Sequence, residues 1–175
     1  LSSSKKELTK NTLKVETPKW LVKNHIYYDE IISGLSANIL SGVKNGYFLE
    51  DRNITKKEAV GWIESVLRKN TVSDDTILKL RNEVTVTFET ITREEFAKLS
   101  QRYLWSMNSK SGKDYRDLEE NQESLIASLV GPDFLWKDEF AQNYFQPDKK
   151  ITRSEAAYFL TQVLKTQGKS ALVLR

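Results

Sequence analysis

Apolar residues fall at helical spacing in successive stretches of this chain, and the stretches come in pairs. In "YYDEIISGLSANIL", Ile31, Ile32, Leu35, Ile39 and Leu40 share one face, and Gly42 offers a C-terminal stop. The glycines and polar residues of "GVKNGYFLEDRN" predict a loop, and "NITKKEAVGWIESVL" predicts a second helix beyond it. A compressed version follows: "SDDTILKLRNEV" predicts a short helix, "TVTFET" is rich in strand formers, and a further helix begins at Thr92 in "TITREEFAKLSQRYL". After Trp105, "SMNSKSGKDYRD" has Gly, Ser and Lys but no apolar period and reads as a linker. The plan then returns with "EENQESLIASLV", stopped by Gly131-Pro132, the aromatic loop "DFLWKDEFAQNYFQPDKK", and a helix from Thr152 in "KITRSEAAYFLTQVL".

The second helix of each pair repeats itself residue by residue. With Glu58, Glu95 and Glu155 aligned, the position four later holds Trp62, Leu99 and Phe159. Eight later stand Val66, Tyr103 and Val163, and nine later Leu67, Leu104 and Leu164. The position five later holds Ile63, Ser100 and Leu160, so only the middle copy breaks the stripe. A helix-loop-helix unit of this size cannot bury its own stripe, so the copies are expected to pack on one another. The expected fold is mostly α, with three helix-loop-helix repeats about a pseudo-threefold axis. Residues 1–17 read as a linker, 18–70 as the first repeat, 71–105 as a shortened second, 106–168 as the third and 169–175 as a tail.

Each copy also writes the same helix start. Thr55 precedes Glu58, Thr92 precedes Glu95 and Thr152 precedes Glu155 by three residues, the spacing of a capping box. The cap accounts for Thr and Glu. It leaves Lys56, Arg93 and Arg153, which put a cation at the first helical position, where the positive helix end disfavours one by a few tenths of a kcal/mol. A cation beside free helix amides is well placed to hold a carboxylate or phosphate. On that reading the arginines face solvent and contribute little to stability.

Composition narrows the possibilities. At 39% hydrophobic and 29% charged the chain has ordinary globular balance, and its net charge of +3 is spread through the sequence without a basic tract, which points away from nucleic acid. Without cysteine there is no disulfide framework and no thiolate metal site, and one histidine, His25, makes no cluster; it reads as a cap or packed residue. No apolar run approaches a bilayer span, and "LSSSKKELTK" lacks the apolar core of a signal peptide. An EF-hand fails because Tyr47, Val84 and Tyr144 stand where each calcium loop needs an Asp. No nucleophile elbow, phosphate loop or His-based metal motif is present, so no enzyme, cofactor or metal is expected. The "NIT" at 53–55 fits a glycosylation acceptor, but the repeat already explains it.

The motifs "ITKKE", "ITREE" and "ITRSE" resemble the Ile-Thr-Arg-Ala-Glu signature of S-layer homology (SLH) domains, and "YFQPDKKITRSE" resembles that family's Phe-x-Pro approach to it. The similarity runs over roughly residues 20 to 166. It implies a three-lobed, non-catalytic module whose inter-repeat grooves bind secondary cell-wall polysaccharide, often pyruvylated. It implies a location at a Gram-positive cell wall, within a larger surface protein, with no membrane or nucleic-acid partner. The residues carried over as glycan-binding are Arg93 and Arg153 first and Lys56 third, because an ammonium lacks the planar fork. Rings that could stack on a sugar are Trp20, Tyr28, Tyr47, Trp105 and Trp136, all near predicted helix ends or loops, whereas Trp62 lies on the apolar stripe and reads as core. The chain departs from the family at Lys56, in the short glycine-free loop of the second unit, and in "DEFAQNYFQ", so unequal grooves and one or two occupied sites are expected. A helical protein-interaction module whose repeats merely share capping boxes is the alternative.

Overall fold

The computed structural model describes residues 21, 23–42, 45, 47–84, 88–104, 115–131, 133–137 and 143–166. Among these the regular elements are helices: α1 (Tyr28–Ser36), α2 (Lys56–Lys69), α3 (Asp74–Asn82), α4 (Arg93–Leu104), α5 (Glu120–Val130) and α6 (Arg153–Thr166). The fold is therefore mostly α, as the periodicity predicts. The strand-forming stretch gives no strand among its described residues; Thr90 makes only an isolated antiparallel bridge to Thr55. Residues 1–17 and 169–175 lie outside the described residues, as do Trp20 and Trp105.

The apolar stripes determine how the helices pack. α2 packs on α3 and α4, α4 on α5 and α6, and α6 on α5 and α1. The first helix of each pair thus lies against the second helix of another: α3 on α2, α5 on α4 and α1 on α6. α6 is the most enclosed, with Ala156, Ala157, Phe159, Leu160, Val163 and Leu164 all buried. Its Phe159 lies within ring contact of Phe96, Phe134, Trp136 and Phe145. Trp62 is 1% exposed and stacks on Phe48 with ring centroids 5.9 Å apart.

Two local departures have physical causes. α1 ends at Ser36, before Gly42, because Asn38 turns left-handed (φ 54°) and both Ile39 and Leu40 donate their amides to the Gly34 carbonyl. Leu40 then lies across Gly34, where any Cβ would sit 2.4 Å from its Cδ1, so this glycine is required. The end of the linker-like stretch is also anchored. Tyr115 is buried and bonds the Phe134 carbonyl, and Asp117 accepts the amides of Phe145 at 2.8 Å and Gln146 at 2.6 Å.

Gly61 is the opposite of Gly34. It sits in the middle of α2, and an added methyl would meet nothing within 4 Å. Gly61→Ala is expected to raise unfolding stability by about 0.5–1 kcal/mol, read in a denaturant titration, because only backbone entropy changes.

Candidate functional site

The three motifs meet through their backbones. Ile54 donates to the Ile151 carbonyl at 3.0 Å, and Ile151 to that of Ile91 at 3.1 Å, with all three isoleucines buried. Isolated bridges join Asn53 to Thr152, Thr55 to Thr90 and Thr92 to Lys150. Each basic residue's amide, the first of its helix, is already taken. Lys56 N donates to Glu89 O at 2.7 Å, Arg93 N to Lys149 O and Arg153 N to Arg52 O, both at 2.9 Å. In every case the acceptor lies four residues before another motif's basic residue, so the connections run first to second, second to third and third to first.

The capping boxes account for the next amides. Glu58 N, Glu95 N and Glu155 N each donate to their Thr Oγ1 at 3.2 Å. In return the glutamates accept the amides of Thr55, Thr92 and Thr152 through Oε2. The second-position amides of Glu94 and Ser154 reach Pro147 O and Glu50 O at 3.0 Å. Neighbouring backbone thus occupies the first amide of all three helices and the second amide of α4 and α6, where an anion was expected.

The two arginines also differ from their expected place. Arg93 and Arg153 are each 1% exposed. The Arg93 guanidinium lies 4.1 Å from the centroid of the Trp136 ring, gives Nη1 to Phe145 O at 2.8 Å and Nη2 to Glu155 Oε1 at 2.7 Å. Arg153 lies over Phe48 and Trp62 and gives Nε to Phe48 O at 2.7 Å and Nη2 to Ser41 O at 2.5 Å. Its Nη1 is 3.2 Å from Glu58 Oε1. Each motif arginine is therefore held by the capping glutamate of another motif, and packs on aromatic faces instead of facing solvent.

Charge follows the same geometry. Burial pushes the Glu155 carboxyl up, but Arg93, Lys149 and the Thr152 amide together hold it below the usual carboxylate range. Glu58 behaves alike, burial being outweighed by the Thr55 amide, Arg52 and Arg153. Burial brings Arg153 down to about 10, against the pull of Glu58, so it stays charged at neutral pH. Depressed carboxylates contribute stability that is complete above the unfolded value, about 4.3, and is lost as pH falls through the folded one. The thermal midpoint is expected to hold between pH 7 and 5 and to drop below about pH 4. Glu155→Gln is expected to flatten that drop, and an unchanged acid slope in the variant would show that the pairing contributes nothing.

Lys56 is placed differently. It is half-buried and makes no ion pair among the described residues. It lines an open cleft of about 190 Å³ between α2 and α4, with Ile91 and Leu99 among the walls and the carboxylates of Glu83, Glu89 and Glu95 beside Lys98 and Arg102. A cleft of about 230 Å³ lies beside the third motif, where His25 faces Asp51 at 3.4 Å and Lys149 holds Glu155 at 3.0 Å. His25 Nδ1 accepts the Tyr27 amide, so the histidine supports the start of α1.

Of the rings expected to stack on sugar, Trp136 is buried beneath Arg93 and donates its indole N–H to Phe145 O, which leaves it no open face. Tyr28 packs half-buried against the core, and Tyr47 is 37% exposed. Sequence reasoning missed the aromatic slots that receive the arginines. A signal was present: eight residues before each basic residue stand Phe48, Phe145 and, in the second unit, Thr85.

Residues 139–157 match the family model described as S-layer homology domain. The match takes in the third motif and its Phe-x-Pro approach, so the resemblance holds there. Domains of that family are in general non-catalytic modules that attach proteins to the cell surface. No curated protein matches the chain at a significant level. No helix among the described residues is long and apolar enough to cross a membrane.

Proposed function

We propose that the chain is a three-repeat S-layer homology domain, three-lobed about a pseudo-threefold axis. It anchors a larger surface protein non-covalently to a Gram-positive-type cell wall. Its ligand is an anionic secondary cell-wall polysaccharide, of which a pyruvylated one is an example, taken up at the seams between repeats. The observation that supports this best is that the matched third motif shares its backbone pattern with the other two, each passing its first helix amide to the next. Seams of this kind bring a cation, acceptor carboxylates and apolar side chains to one place, the elements with which a charged sugar is held. The chain carries out no chemistry on the ligand.

One observation favours a protein partner instead. Phe88 is 86% exposed and Leu78 58%, both in the second unit. Co-sedimentation with purified sacculi separates the readings. The domain is expected to pellet with sacculi that retain their secondary polymer and to stay in the supernatant when the polymer has been stripped. Equal pelleting in both cases, or none in either, would remove the polysaccharide reading.

A further inference from the structure

We infer that a single seam takes the ligand's oxyanion, the one between the first and second motifs, and that Lys56 is the residue that contacts it. This rests on the anchoring reading above and goes further by naming the seam. The three seams are built on one plan, so their differences can be compared position by position.

In two of them the motif cation is consumed inside the protein. Arg93 and Arg153 fill aromatic slots, and the Oε1 atoms of Glu155 and Glu58 accept them. Removing either guanidinium from its slot to greet a ligand would strand backbone carbonyls and a low-lying carboxylate, so neither is available. The third seam has no motif arginine to latch. The cation is the shorter, point-charged Lys56, and the residue matching Phe48 and Phe145 is Thr85. Glu95 still caps its helix through Oε2, but its Oε1 has no partner among the described residues. The 190 Å³ cleft lies at this seam. The shortened loop of the second unit, expected to spoil a groove, accompanies the open one.

The cleft supplies what a charged sugar ring needs. Lys56 is held by no salt bridge among the described residues and offers its ammonium to an oxyanion, which would compete with Glu83 and Glu89 on the same lining for that charge. Glu95 Oε1 offers an acceptor to a ring hydroxyl. Ile91 and Leu99, 3% and 7% exposed, give an apolar wall for the ring's C–H face. Lys98 and Arg102, more than half exposed, are tied only to Glu94 and Glu83 at the surface, where such pairs are worth little and can be exchanged. In the cleft beside the third motif the lining lysine, Lys149, is held by Glu155. The oxyanion can be a ketal carboxylate or a phosphate on the same type of sugar, since an ammonium recognises both as point charges.

The test is calorimetry of the whole domain with two defined wall-glycan fragments, one pyruvylated and one phosphorylated, which distinguishes the sources of the charge. One site per chain is expected with at least one fragment. Lys56→Ala is expected to weaken it by about tenfold or more, the loss of a charge-assisted hydrogen bond, while melting like the wild type because the lysine makes no ion pair. Lys56→Arg, which puts the cation of the two latched motifs into the cleft that Glu95 also lines, is expected to weaken binding as well. Two or three equivalent sites, or a Lys56→Ala affinity equal to wild type, would overturn the inference while leaving the anchoring reading intact. Binding to neither fragment nor to sacculi would overturn both.

Discussion

Arg93→Ala is expected to destabilise the protein by about 3 kcal/mol, the lower end of what a broken buried ion pair costs, although a motif cation reads from sequence as a surface residue. The change removes a side chain with no exposure, leaves Phe145 O with one donor fewer and deprives Glu155 of its closest cation. Lys149, 3.0 Å from the same carboxylate oxygen, keeps the loss at the low end. For a domain of this length the midpoint is expected to fall by about 6–12 °C. Lys56→Ala, at the equivalent position of the open seam, is expected to leave it unmoved. Scanning calorimetry of the two variants side by side checks the contrast, and equal melting would show that Arg93 is not a latch.

Phe159→Ala is expected to cost about 3–5 kcal/mol, the range for deleting a buried aromatic ring. Phe159 is 1% exposed, and its ring is ringed by Phe96 from α4 and by Phe134, Trp136 and Phe145 from the segments before α6. Those neighbours belong to separate elements pinned by their own bonds, Phe145 through Asp117 and Trp136 through its indole N–H, so they cannot close over the hole. The cavity also undercuts the face of Trp136 on which Arg93 rests. Urea unfolding is the measurement, with an unchanged slope and a midpoint shifted to lower denaturant as the expected result.

Helices and their starts were legible because both are local. A stripe at four, eight and nine residues fixes which face of α2, α4 and α6 turns inward, and Thr and Glu three apart find each other within one turn. The arginines were not legible in the same way. Whether Arg93 or Arg153 faces water depends on which carbonyls and rings another unit brings to it, and Phe145, Ser41 and Phe48 lie 52, 112 and 105 residues away. A local rule about helix dipoles therefore pointed to a ligand where the chain supplies its own carboxylate. Trp136 failed for the same reason, since a loop aromatic near a groove and a loop aromatic under a guanidinium look alike in sequence. Ser100 was visible as the break in the stripe, and it is a fully buried hydroxyl without a hydrogen-bond partner among the described residues, for which the fold offers no reason.

The seam latch is the claim on which the open third seam depends, and the coupling between Arg93 and Glu155 measures it directly. Arg93→Met and Glu155→Gln keep size and, for the glutamine, the cap, so the cycle of the two single variants and the double variant isolates their interaction. A coupling free energy of about 1–3 kcal/mol, favouring the wild-type pair, is the predicted result. Losses that simply add would mean that the motif arginine and the capping glutamate of the next motif do not hold each other, and that the closed seams are no more closed than the one at Lys56.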